Sequence, residues 1–443
     1  MSAASEDELL GLAHMVLERV SDREAEVIVV DTESALTRFA GNAIHQNVVE
    51  SSRRVRLRLI AERKVGVAEL RGGGEGVVPQ LIAAAEQARR VVPEGAPSPL
   101  PRPAAPLDVG GVVFDTATAS ATPEMRSEAV GVVCDAARRQ GVEAYGALNT
   151  TAVGMAVVNT TGVQQVARTT RAGLVIVVRG DDGAGYADRH SSSVEAIDVA
   201  ASAEEAVDTC LRNQGAKATE PGTYEVVLSP YATAELLDHL SWMGFSALAR
   251  QEQRSFLKSG EPLTSSEVTI DDDAADPARC PFPFDCEGVR TRPVTFIEAG
   301  VGRDVVHDTA TALRDGVSST GHALPMPNAI GPFPRHLAMA AGEHSPEELI
   351  AATDHGLYIT RLWYVRHVHP LKTIITGMTR EGTFRIEKGK LSSPVRDLRF
   401  TQSVIEALRD VRGISRERSL EMGEDGSGVL APALHLGCFT FTS

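Results

Sequence analysis

The stretch Glu235-Leu-Leu-Asp-His-Leu-Ser-Trp-Met-Gly-Phe-Ser-Ala-Leu248 reads as an amphipathic helix whose polar side chains are spaced almost as zinc-dependent hydrolysis requires. A helix of the pattern HExxxH sets two imidazoles five residues apart on a metal, with a glutamate beside the first to take a proton from the metal-bound water. In that frame Asp238 stands where the first ligand should be, His239 where the general base should be, and Met243 where the second imidazole should be. A carboxylate, an imidazole and a thioether in those roles supply no ordinary zinc-hydroxide site. Asp238 and His239 are neighbours on a helix, so they project about 100° apart and are poorly placed to share one ion. The alternatives are a rebuilt site, using Asp238 or His239 with Asp425 and His322, or a polar helix edge with Met243 as core filler.

Other groups of chemically capable residues each carry two readings. His367 and His369 share one side of a strand and could chelate a metal; otherwise His369 fixes a turn before Pro370 and His367 is solvated. Ser318-Ser-Thr-Gly-His322 places hydroxyls, a glycine and an imidazole in one loop. Ser319, Thr320, Gly321 and His322 are therefore either a grip on a peptide backbone or a turn whose hydroxyls satisfy their own chain. His45 and Asn47 are candidate substrate contacts or a polar pair at a strand end. Cys280 and Cys286 read as free thiols in a loop rather than half a metal site, since no second pair follows. Asp271-Asp-Asp273 with Asp276 lacks calcium-loop spacing and reads as a solvated loop. Arg179-Gly-Asp-Asp-Gly-Ala-Gly185 lacks the Lys-Ser/Thr of a phosphate loop and reads as a hairpin turn. No Gly-x-Ser-x-Gly elbow occurs.

The elements that must position these residues follow from periodicity. Leu9, Leu10, Leu12, Ala13, Val16 and Leu17 recur at helical spacing behind Ser5, a helix-capping residue followed by acidic side chains. Ala25–Val30 reads as a buried strand and Arg53–Ile60 as a half-buried one, followed by a helix over 77–92. Pro93 to Pro106 holds six prolines and reads as an exposed connector. A helix over 123–139 leads to short strands at 144–147, 152–158 and 174–178, with Asn159-Thr-Thr-Gly162 as a hairpin turn, and 192–213 returns to helix. After Pro221-Gly222 short strands and glycine turns dominate: 224–228, 294–300, 373–377, 382–387 and 439–442. The expected fold is α+β, with an N-terminal mixed α/β domain over 1–220 and a β-rich, barrel-like C-terminal domain over 221–443.

Composition narrows the function classes. At 443 residues, 43% hydrophobic and 23% charged, the chain has an ordinary globular make-up with room for a large core. A net charge of −15 leaves no basic excess to displace counterions from a phosphate backbone, so nucleic acid is not expected as a partner. The acidic N-terminus lacks a secretory pattern, the longest apolar runs are too short to span a bilayer, and five scattered cysteines suit reduced thiols. The expectation is a cytoplasmic protein without membrane contact.

Several fragments, taken together and in order, resemble the TldD/PmbA family of peptide-processing proteins. They are the helix around Asp238, Arg254–Leu257, Phe284-Asp285 with Glu287-Gly288, Thr320–Ala323, Leu362–Arg366 with His369–Leu371, and Leu398–Gln402, joined near the N-terminus by Arg38–Asn42 and Ile44–Asn47. The resemblance spans nearly the whole chain. It implies one of two branches that pair as a heterodimer: a TldD branch carrying HExxxH plus a later cysteine as zinc ligands, and a TldE (PmbA) branch without them. The family's ligand positions fall by local context on Asp238, Met243 and, approximately, Asp425, and all three differ from the zinc set; Cys438 lies too far along to stand in for the missing thiolate. The resemblance thus implies the metal-free TldE-like subunit of a heterodimeric zinc metallopeptidase acting on unstructured or modified peptides. No cofactor is expected in this chain and zinc is expected in a TldD-like partner. The alternatives are a self-sufficient hydrolase with a rebuilt Asp/His site, and a non-catalytic peptide-binding module.

Overall fold

A computed structural model describes residues 4–74, 76–95, 99–103, 114–423 and 426–443. The chain opens with α1 (Glu6–Glu18), whose start is the reciprocal hydrogen bonding of Ser5 and Glu8 with an acidic first turn, as the sequence predicts. Six antiparallel strands follow: β1 (Glu24–Ala40), β2 (Ala43–Ala61), β3 (Lys64–Arg71), β4 (Glu143–Asn159), β5 (Gln164–Arg179) and β6 (Ala184–Ser191), in the order β3-β2-β1-β4-β5-β6. The helices are α2 (Val77–Val91), α3 (Thr116–Ala119), α4 (Pro123–Arg139) and α5 (Val199–Arg212). Because side chains alternate along a strand, Val27, Val29, Ala156 and Val158 turn toward α1 and α2, while Leu148, Leu174 and Ile176 turn toward α4 and α5. Ile28, Met155 and Val157 face the other way, against Phe282 and Phe284. One face is therefore covered by the chain's own helices and the other meets the C-terminal half.

Residues 222–441 build an eleven-stranded sheet. Its strands are β7 (Gly222–Leu228), β8 (Ile270–Asp272), β9 (Val294–Glu298), β10 (Val301–Gly302), β11 (His336–Met339), β12 (His355–His369), β13 (Ile374–Glu387), β14 (Lys390–Val395), β15 (Arg399–Ser403), β16 (Val411–Met422) and β17 (Gly428–Phe441). Strand β17 pairs with both β15 and β7, which closes β17-β15-β13-β12-β7 into a ring. The β-rich, barrel-like expectation is met by that closure, which leaves each of the five ring strands paired on both sides. Helices α6 (Pro230–Gly244) and α7 (Ala247–Gln251) follow β7, and α6 packs on β12 and β17. No helix of the described residues is long and apolar enough to cross a membrane.

Several local expectations are corrected. The strands predicted at 144–147 and 152–158 are one strand, β4, because its middle pairs with β1 on one side and β5 on the other despite polar side chains. The strands at 373–377 and 382–387 are likewise continuous in β13, held by β12 across register shifts. The stretch 192–198 holds only one short 3₁₀ turn, Val194–Ala196; α5 begins at Val199, where Asp198 caps it. The helix predicted from Glu235 starts earlier, at Ser229-Pro230, and stops at Gly244, where a Cβ would lie 2.4 Å from the Phe256 ring. Of the proline-rich connector, residues 93–95 and 99–103 carry neither helix nor strand and the remainder lies outside the described residues.

Candidate functional site

A cavity of about 1020 Å³ lies between the two sheets. Its floor is the helix-free face of the N-terminal sheet, where the same alternation that sends Val27 and Val29 to the helices leaves Val30, Thr32 and Met155 inward. One wall is α6, through Glu235, Asp238 and Trp242; the loop containing Leu324, Pro325 and Phe333 and the end of β16 at Glu421 supply the others. Among the described residues, the arginines Arg54, Arg171, Arg335 and Arg361 and the acids Asp188, Glu235, Asp238 and Glu421 border the space, so the wall has polar grips of both signs set in an apolar lining.

The residues singled out in the degenerate zinc frame separate in space. Asp238 borders the cavity. His239 turns aside: its Nδ1 lies 2.7 Å from His367 Nε2, its Nε2 lies 3.4 Å from Glu235, and the two imidazoles meet edge to face. His367 is thus not merely solvated, and burial together with the nearby His239 lowers its pKa. Met243 is 2% exposed within the C-terminal core. Asp425 lies outside the described residues; Gly423 and Gly426 on either side of it border the cavity. Among the described residues no three His, Cys, Asp or Glu side chains converge as a metal site. The donor set of this helix does not fit zinc, because its imidazole is engaged elsewhere and its thioether is packed in the core.

The loop Ser319–His322 is a structural turn rather than part of the cavity lining. The hydroxyls of Ser319 and Thr320 donate to the His307 carbonyl at 3.1 and 3.0 Å. Gly321 has φ +76°, and a Cβ there would stand 2.2 Å from the Arg290 carbonyl oxygen. His322, 1% exposed, lies 2.9 Å from Thr320 Oγ1 and 3.0 Å from Asp272 Oδ1. Asp272 is fully buried, correcting its reading as part of a solvated loop, and accepts from the backbone N–H groups of Arg335 and His336. Burial opposes its ionisation, but the charges and hydrogen bonds of His322 and His336 hold its carboxyl well below the usual range. The expected substrate contacts at Ser319, Thr320, Gly321 and His322 therefore sit behind the wall, where they anchor the segment leading to Leu324 and Pro325. His45 is exposed and Asn47 accepts a hydrogen bond from Arg126 of α4 at 3.1 Å; neither borders the cavity. Cys280 and Cys286 are buried thiols, and burial pushes Cys286 up to about 12.

Sequence reasoning missed the residues around Asp188. Tyr186, Asp188 and His190 alternate along β6, a pattern that reads as the solvent side of a strand until the second half of the molecule covers it. The Tyr186 hydroxyl donates to Asp188 Oδ2 at 3.0 Å, and the Tyr231 hydroxyl at the start of α6 donates to Glu205 at 2.8 Å. Arg361 stacks over the Tyr186 ring at 4.1 Å and pairs with Glu381 at 2.9 Å.

A sequence profile for the PmbA/TldA metallopeptidase C-terminal domain matches residues 221–443. The chain belongs to the PmbA/TldD family. It is 29% identical over 225 residues to a metalloprotease of Methanothermobacter thermautotrophicus, covering 49% of this chain and 48% of that one. It is also 29% identical over 230 residues to a metalloprotease TldD homolog of Haemophilus influenzae, covering 50% and 46%. The chain thus spans about half the length of the curated relatives it matches. In fold it resembles TldE from Thermococcus kodakarensis, with a TM-score of 0.88 at 21% identity over 97% of this chain and all of that one. A putative modulator of DNA gyrase from Thermotoga maritima gives 0.84 at 17% identity, covering 98% and 99%.

Proposed function

We propose that this PmbA/TldD family member is a TldE-like subunit without a zinc site, which walls an enclosed chamber for unstructured or modified peptides with a zinc-bearing TldD-like partner. The observation that carries the reading is the dispersal of the zinc frame: Asp238 faces the cavity, His239 is turned to His367, and Met243 is core. The fold likeness to TldE supports the same assignment. A cavity lined by apolar side chains and by charges of both signs suits an extended peptide, whose carbonyl, amide and terminal groups each need partners. Five free cysteines fit a reducing, cytoplasmic setting.

The test is to purify the chain alone and with a TldD-like partner, then measure bound zinc and cleavage of an unstructured peptide. The expected outcome is zinc in the partner and cleavage only by the pair. Stoichiometric zinc with peptidase activity from the lone chain defeats the proposal. Asp238→Ala and His239→Ala then separate a wall from a rebuilt active site: a wall leaves the pair's turnover largely intact, whereas a self-sufficient hydrolase loses its own.

A further inference from the structure

Asp188 on β6 and Glu421 at the end of β16 meet at the cavity wall, brought together from positions 233 residues apart in the chain. Asp188 Oδ1 and Glu421 Oε1 are sealed from solvent and, apart from the proton the two carboxyl groups share, receive no hydrogen bond from the described residues. Buried carboxyl oxygens without donors are uncommon because each forfeits the hydrogen bonds it had in water. The nearest cations do not meet the need. Arg189 is engaged with Tyr231, Glu205 and the Asp188 carbonyl, and Arg361 is engaged with Glu381. His190 Nε2 approaches Asp188 Oδ1 to 2.9 Å, but without hydrogen-bond geometry for either atom. Two carboxyl groups thus share a single proton at the edge of a 1020 Å³ space, with no further donor aimed at either of these oxygens.

We propose that the Asp188–Glu421 pair is a subsite for a primary ammonium group, supplied by the amino terminus or a lysine side chain of a peptide lying in the cavity. The inference deepens the proposed function and rests on its reading of the cavity as a peptide chamber. An ammonium is compact and has three donors, enough to serve both oxygens at once. A guanidinium needs a flat bidentate partner, and a methylated ammonium needs open aromatic faces; the Tyr186 face is already taken by Arg361. A divalent ion would need a third ligand, and among the described residues none converges there.

The electrostatics of the pair favour one shared proton. Burial and the adjacent Asp188 push the Glu421 carboxyl well above its ordinary range; burial also opposes ionisation of Asp188, but His190, Glu421 and Tyr186 hold it ionised. An arriving ammonium replaces that proton, which leaves to the buffer; Glu421 becomes a carboxylate, the wall gains one negative charge, and the ligand's positive charge offsets it.

The test uses isothermal titration of the full chain at neutral pH, in two buffers of different ionisation enthalpy. The probes are a short unstructured peptide with one lysine and its Nα-acetylated, Nε-acetylated and doubly acetylated forms. The free peptide should bind roughly tenfold or more tightly than the doubly acetylated one and release about one proton. The single cap that reproduces the double-cap loss names the amine concerned. Glu421→Gln, the shape of the protonated acid, and Asp188→Asn should weaken the free peptide to the capped level and abolish proton release. Equal affinity for free and doubly acetylated peptide overturns the ammonium subsite while leaving the chamber intact, as does proton release unchanged in Glu421→Gln. Absence of binding by all four peptides overturns the subsite and the chamber reading together.

Discussion

At Gly321 one added methyl would meet a backbone oxygen rather than a movable side chain, and the left-handed φ of +76° would be strained in any other residue. Gly321→Ala is expected to lower stability by about 2 kcal/mol or more, read as a fall in the midpoint of thermal unfolding. If the residue instead gripped substrate, the same change would leave the midpoint unmoved and weaken peptide binding. The composition of this loop was legible, since hydroxyls, glycine and imidazole do lie together. Their direction was not: the hydroxyls of Ser319 and Thr320 close on His307 and the imidazole closes on Asp272, which lies fifty residues earlier in the chain. A neighbour that distant leaves no trace in local spacing.

At the scale of elements, α6 decides how the degenerate zinc frame is to be understood. Met243 packs among the C-terminal core, so Met243→Ala should cost about 2–5 kcal/mol, measured by denaturant titration, with no change in metal content. A ligand role predicts the reverse pattern. Helix boundaries were partly readable: Ser229-Pro230 is a helix start on its own terms, with Ser229 capping Ala232 and proline at the first turn, although periodicity alone pointed to Glu235. The long strands were harder. Residues 148–151 fall between two predicted strands because Asn149 and the threonines are polar, yet both neighbouring strands hold them in register. Pairing partners, rather than intrinsic preference, set where a strand ends.

Across the whole molecule, Glu26 of β1, Arg58 of β2 and Glu287 of the C-terminal half form a buried cluster, with Arg58 Nη1 3.8 Å from Glu26 and 3.9 Å from Glu287. Burial, aided by Glu287 and opposed by Arg58, raises Glu26 from its ordinary 4.5 to about 8. The folded state therefore keeps a proton that the unfolded chain loses. This contribution is fully present below about pH 4.5 and is lost as pH rises through about 8, so stability should fall across that window. Glu26→Gln should flatten the decline, most visibly as a higher unfolding midpoint near pH 9 than the unmodified protein shows. An unchanged slope between pH 5 and 9 would refute the assignment.

What the sequence determined by itself was whatever neighbouring residues decide: several of the strands, the capped helices, and the β-rich, barrel-like second half. Only the tertiary structure decided which polar face was solvent and which was cavity. β6 and the end of β16 carry ordinary-looking polar alternation, and their acids acquire unusual properties only when two separate sheets close over them and exclude water. Desolvation is set by everything that packs around a group, and most of that lies far away along the chain.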